Sequence, residues 1–240
     1  MQKTALVTGG TRGLGAAISA ALREAGYRVA AVYHSDALAA EALRERFGID
    51  VFRWDVADPG ACERGLADVT QALGPVEVLV NNAGITADAM FHKMHAEQWN
   101  RVLQTNLGSM FNMTRPVIEG MRERQFGRIV NISSVNGRKG QVGQANYAAA
   151  KAGMLGFTKA LALENARHHI TVNAIAPGYC DTRMLSAVRD DVLQGIIASI
   201  PVGRLGTPDD VARMVAFLVD ERAGFITGAT FDVNGGQYLA

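Results

Sequence analysis

Short, nearly continuous apolar runs alternate along this chain with longer stretches in which apolar residues recur every three or four positions. The runs predict strands at 5–8, 29–33, 51–54, 76–80, 128–132, 171–175 and 230–233. The amphipathic stretches predict helices over 14–24, 37–46 and 60–73, halted by Gly26, Gly48 and Gly74. A longer helix is expected over 97–113, running on towards Arg124, and another over 147–164. Thr207, followed by Pro208, Asp209 and Asp210, reads as an N-cap with proline and acid in the first turn, leading into a helix over 211–219. Strands that are apolar throughout must be covered on both faces, and strand–helix alternation makes neighbouring strands parallel. The expected fold is therefore α/β, a doubly wound Rossmann-type parallel sheet of about seven strands, with ligands at the carboxyl ends of the strands. A single such domain is expected to span residues 1–240.

Composition narrows the class rather than the chemistry. Hydrophobic residues make up 48% and charged residues 20%, ordinary for a globular enzyme. A formal net charge of +1 gives no electrostatic reason for a nucleic-acid or acidic-membrane partner, and neither is expected. Two cysteines, Cys62 and Cys180, cannot build a disulfide framework. The chain opens on a strand pattern, with neither a signal peptide nor an apolar run of membrane-spanning length, so a cytoplasmic setting is expected.

The first strand meets the first helix at Thr8, Gly9, Gly10, Thr11, Arg12, Gly13, Leu14 and Gly15. Glycine lets the backbone turn sharply and approach a pyrophosphate, and the helix N-terminus behind it offers free N–H groups and a favourable dipole. Glycine also marks plain turns, and it is the placement between strand and helix that makes this string a dinucleotide site. At the end of the second strand an acid would accept hydrogen bonds from a ribose 2′-hydroxyl and repel a 2′-phosphate. The strand instead ends at Tyr33, His34 and Ser35, and Arg12 in the loop can grip a phosphate. Asp36 is the counter-argument, but it reads as the start of the next helix, which favours NADP over NAD. The bland reading of Arg12 is an exposed charge.

Tyr147 and Lys151 stand four residues apart in an alanine-rich run, which on a helix places both on one face. An ammonium close to a phenol lowers the phenol pKa and makes it a usable proton donor and acceptor. Ser134 lies where the fifth strand should end, and its hydroxyl can bond a substrate oxygen. Such a helix pair often arises by chance, and only its conjunction with Ser134, Asn106 and the glycine loop favours chemistry. Ser133 points the other way at a strand end and is expected to be structural.

These motifs resemble the short-chain dehydrogenase/reductase family over essentially the whole chain. The match runs from the glycine loop through Asp55 and Val56, then Asn81, Asn82, Ala83 and Gly84, then Asn106, Ser134, Tyr147 and Lys151. It continues with Pro177 and Gly178 and ends at Asn234, Gly235 and Gly236. Within the family, the run from Val135 to Tyr147 and the residues around Tyr179 and Met184 are similar to reductases of 3-oxoacyl thioesters, above all the acetoacetyl-CoA reductases of polyhydroxyalkanoate synthesis. The resemblance implies that Tyr147 protonates the keto oxygen, Ser134 bonds it, Lys151 holds the nicotinamide ribose, and Asn106 anchors a water. It implies a nucleotide site lined by Gly9, Thr11, Arg12, Gly13, Leu14, Gly15, Tyr33 and Ser35. Asp55 and Val56 would cradle the adenine, Asn82, Ala83, Gly84, Pro177 and Gly178 would line the cofactor, and Thr182 would approach the carboxamide. Gln141, Gln144 and Tyr179 would contact the acyl thioester, and the assembly would be a homotetramer.

Other features read as structural. His92 and His95 lack a third ligand, hydride transfer needs no metal, and none is expected. Trp99, Met110, Phe111 and Met113 fit a core or subunit interface. Residues 186–201 are expected to form a lid over the substrate. The rival substrate is the acyl-carrier-protein thioester of fatty-acid synthesis. At two positions where those enzymes tend to carry arginine this chain has Gln125 and His168, with Arg124 and Arg167 beside them. A non-catalytic nucleotide sensor is a third reading, but such proteins usually lack a catalytic side chain, and all are present here.

Overall fold

The computed structural model describes residues 2–181 and 189–239. The seven expected strands form: β1 (Thr4–Thr8), β2 (Arg28–Tyr33), β3 (Asp50–Arg53), β4 (Val76–Asn81), β5 (Gly127–Ile132), β6 (Ile170–Pro177) and β7 (Thr230–Val233). They make one sheet in the order β3-β2-β1-β4-β5-β6-β7, with every pairing parallel. The chain winds outward from β1 to β3, then crosses back to β4 on the other side of β1. Loops leaving β1 and β4 therefore diverge to opposite faces and open a crevice at their carboxyl ends.

Helices cover both faces. Ile18 and Leu22 of α1 (Gly13–Glu24) and Val211, Val215 and Leu218 of α9 (Pro208–Val219) pack on Val7, Val80 and Val130. Leu66 and Val69 of α3 (Pro59–Leu73) and Met113 and Met121 of α5 (Ser109–Glu123) pack on Leu6, Leu79 and Ile129 on the opposite face. The period of two along a strand sends Leu6 and Val7 into these different layers. The remaining helices are α2 (Ala37–Phe47), α4 (Ala96–Leu103), α6 (Val135–Lys139), α7 (Ala145–Asn165) and α8 (Asp190–Ala198).

Two elements differ from the sequence expectation. The long helix expected from 97 is α4 and α5 joined by a π-helical turn, Gln104–Gly108, with Asn106 at its centre and buried. A π turn inserts one extra residue, rotating the following helix without breaking the run of apolar positions. The loop between Ser134 and Tyr147 also contains α6, too short to give a period. The Ser134 hydroxyl caps it by accepting from the N–H of Asn136 at 3.1 Å. Of the region expected as a lid, α8 is described, whereas 186–188 lie outside the described residues. Among the described residues no helix is long and apolar enough to cross a membrane.

Candidate active site

The glycine loop closes on itself. A Cβ on Gly15 would lie 2.0 Å from the Gly9 carbonyl oxygen, so only glycine lets the helix start this close to the loop. The loop is pinned to β4 across the crevice. Thr8 Oγ1 accepts from the N–H groups of Asn82 and Ala83 at 2.9 and 3.0 Å, and Asn82 Nδ2 donates to the Thr8 and Gly9 carbonyls at 2.9 and 3.2 Å. Asp36, Asp58 and Thr207 cap α2, α3 and α9 with side-chain acceptors, whereas α1 begins after Arg12 with no side-chain cap. The first-turn N–H groups of α1 are thus a donor set suited to a pyrophosphate. Thr11 is buried beneath them, and Leu14 is partly buried.

The fit continues along the crevice. Gly84 is exposed, and a Cβ there would lie 3.3 Å from Asn106 Oδ1 and 3.5 Å from Lys151 Nζ. That bare backbone gives a flat ring access to the lysine head. At the far end, Val56 is buried and its carbonyl accepts from Asn112 Nδ2 at 3.0 Å, while Asp55 Oδ1 accepts from the Ala57 N–H at 2.9 Å. Pro177 ends β6, and the Gly178 N–H donates to the Val233 carbonyl at 3.0 Å. These residues and the glycine loop fit a dinucleotide, and the fold implies a nucleotide cofactor.

Tyr147 and Lys151 lie in α7 and Ser134 two residues past β5, at the cap of α6, and the structure brings all three to one place. Lys151 is buried, and its Nζ donates to the Ile132 carbonyl at 2.7 Å and stands 5.5 Å from the Tyr147 ring centre. Ser133 is buried and donates to the Lys151 carbonyl at 2.7 Å, a structural contact that fixes α7 against β5.

The electrostatics correct the sequence expectation. Burial pushes the Tyr147 phenol above its usual value, a hydrogen bond with Ser134 lowers it, and the Asp88 carboxylate raises it. Lys151 is itself pulled down to about 7 by burial. An amine this deeply desolvated does not present the full positive charge at neutral pH that the helix spacing alone promised. The serine, rather than the lysine, is the group that favours phenolate.

Asn106, in the π turn beside Lys151, has its side-chain amide bonded at both ends. Its Oδ1 accepts from the Ile85 N–H at 2.8 Å and its Nδ2 donates to the Ile85 carbonyl at 2.9 Å. The side chain pins the loop after β4.

Of the residues expected to meet substrate, Gln141 is exposed, and the N–H of Tyr179 is tied to Gln237 Oε1 at 3.1 Å. Gln144 has its amide engaged at both ends. It donates to Asp88 Oδ2 at 2.8 Å and accepts from Asn136 Nδ2 at 3.0 Å. Asp88 escaped the sequence reading because nothing distinguishes an acid in a loop until the fold sets it beside Gln144. Thr182 lies outside the described residues.

The comparisons with known proteins agree with this geometry. The family profile described as enoyl-(acyl carrier protein) reductase matches residues 9–237. The chain is 62% identical to the acetoacetyl-CoA reductase of Shinella zoogloeoides over 240 residues, and 61% identical to that of Rhizobium meliloti (strain 1021) over 241 residues, each covering 100% of both chains. It is 44% identical over 239 residues to the 3-oxoacyl-(acyl-carrier-protein) reductase of Escherichia coli (strain K12), covering 99% of this chain and 98% of the other. With a profile spanning nearly its whole length and relatives this similar from end to end, the chain belongs to the short-chain dehydrogenase/reductase family, oxidoreductases that act on a ketone or the corresponding CH–OH group.

Proposed function

We propose that this protein reduces a 3-oxoacyl thioester, acetoacetyl-CoA in the first place, to the (R)-3-hydroxyacyl thioester with NADPH. The observation that carries the reading is the meeting of Ser134, Tyr147 and Lys151 at the end of the crevice that begins with the glycine loop. Bound NADPH would supply the hydride. The phenol of Tyr147, kept protonated by burial, donates its proton to the keto oxygen. Ser134 accepts from Asn136 at its lone pair, which leaves its O–H to stabilise the negative charge developing on that oxygen. Lys151 holds the ribose hydroxyls, its head reached across Gly84. Gln144, fixed by Asp88 and Asn136, bounds the acyl end, with Tyr179 on the opposite strand end.

The choice of CoA over carrier protein is supported on the outer surface. Gln125 Nε2 and His168 Nδ1 lie 3.0 Å apart and bond to each other rather than offering paired cations. Arg124, beside Gln125, turns back onto its own chain at the Val76 carbonyl (3.2 Å), as Arg122 does at Asn165 Oδ1 (3.0 Å), while Arg167 beside His168 is exposed. An acidic carrier protein docks best on free basic groups. Turnover of acetoacetyl-CoA is expected to exceed that of the acetoacetyl carrier protein by about tenfold or more in kcat/KM, the worth of one lost charge pair at a docking surface. A preference for the carrier protein would refute the choice.

A homotetramer is proposed as the assembly. Phe111 on α5 and Leu163 on α7 are 62% and 84% exposed, more than isolated large apolar groups on long helices need be. Light scattering should give four times the chain mass, and a monomeric mass would contradict this.

A further inference from the structure

We propose that Arg53 is the residue by which this chain distinguishes a 2′-phosphorylated adenosine from a plain one. The inference rests on the NADPH reading and assigns its selectivity to a side chain outside the glycine loop. In a doubly wound sheet the adenosine ribose lies at the carboxyl end of β2. Here β2 is flanked by β1 on one side and the edge strand β3 on the other. Arg53, the last residue of β3, is in register with Tyr33, the last of β2, and the Trp54 N–H donates to the Tyr33 carbonyl at 3.0 Å. The arginine is exposed, and its Nε donates to the His34 carbonyl at 3.1 Å, which folds the guanidinium over the end of β2.

That bond uses only Nε. Among the described residues neither terminal amine is bonded, so the planar fork that matches a phosphate remains available. On the other flank, the Gly10 N–H donates to the Val32 carbonyl at 3.0 Å, and exposed Arg12 follows two residues later. Arg53 and the glycine-loop residue Arg12 therefore stand on the two flanks of the segment Tyr33, His34 and Ser35. The nearby acids are engaged. Asp36 accepts from the Ala39 N–H at 3.0 Å as the cap of α2, where the positive helix end meets its charge. Asp55 accepts from Ala57, with its other oxygen 4.0 Å from His34 Nε2.

The test needs no turnover. Binding of 2′,5′-ADP and 5′-AMP is measured calorimetrically for the full chain and for Arg53→Gln and Arg53→Lys, exposed replacements that leave the core intact. Arg53→Gln should weaken 2′,5′-ADP about tenfold, as expected for one charge-assisted bidentate contact, and change 5′-AMP by less than about twofold. Arg53→Lys, which keeps the charge without the fork, should fall between. An unchanged 2′,5′-ADP affinity in Arg53→Gln, or an equal loss for both ligands, would show the arginine to be a solvated edge-strand charge and overturn the proposal. If the unmodified chain itself shows no preference for 2′,5′-ADP, the NADPH reading fails first, an outcome separable from the others.

Discussion

Replacing Tyr147 with phenylalanine is expected to lower kcat for acetoacetyl-CoA by about 10²–10⁴-fold, the usual contribution of a positioned proton donor, while NADPH affinity changes little. The substitution removes one oxygen and keeps the ring. What places the ring lies in the backbone and in Asn146, whose Oδ1 accepts from the Tyr147 N–H at 2.8 Å and whose Nδ2 donates to the Ala87 and Gln98 carbonyls at 3.0 and 3.3 Å. None of these contacts involves the phenol, so the helix should not move. Ser134 remains, but a serine hydroxyl is too weak an acid to replace the phenol as proton source, and its share is the stabilisation of developing charge. Because burial and Asp88 hold the phenol above its usual pKa, the donor stays protonated throughout the neutral range. Steady-state turnover and a fluorescence titration with NADPH separate the two effects. A variant that turns over at the original rate would remove Tyr147 from the chemistry.

Much of this was legible in the sequence because it depends on local pattern. All seven strands follow from apolar runs, and the role of Asp36 as a helix start follows from its place before an amphipathic stretch. The π turn at Asn106 was not legible, since the apolar residues of α4 and α5 continue through it without a break. The Asp88–Gln144–Asn136 chain joins residues 56 and 8 positions apart, and no spacing rule connects a loop acid to an amide on the far side of the crevice. The sign of the Tyr147 shift is hidden from the sequence for a related reason. Helical spacing tells that an ammonium and a phenol are neighbours, but desolvation depends on what the rest of the fold packs around them, and it outweighs their attraction here.

That desolvation makes Lys151 the site of the second large effect, one that stability reads as well as rate. Its amine is pulled from 10.5 to about 7 by burial, while in the unfolded chain it titrates near its ordinary value. Between those two pH values the unfolded chain binds more protons, so this residue makes the cofactor-free protein more stable as pH rises. Below about 7 the full penalty of burying the charge is present, and above about 10.5 it is gone. The span corresponds to roughly 3–5 kcal/mol. Lys151→Met fills similar space without a charge and should flatten the rise, so that the two chains differ most in urea midpoint near pH 6.5 and converge only above about 10.5. The variant should be the more stable at the lower pH, while its kcat/KM falls about 10²-fold or more through loss of the ribose contact proposed for the amine. Equal pH slopes for the two chains would mean that the amine is hydrated in solution. A stabilised variant with low activity would mean that the protein maintains a destabilising buried amine because the reaction needs it.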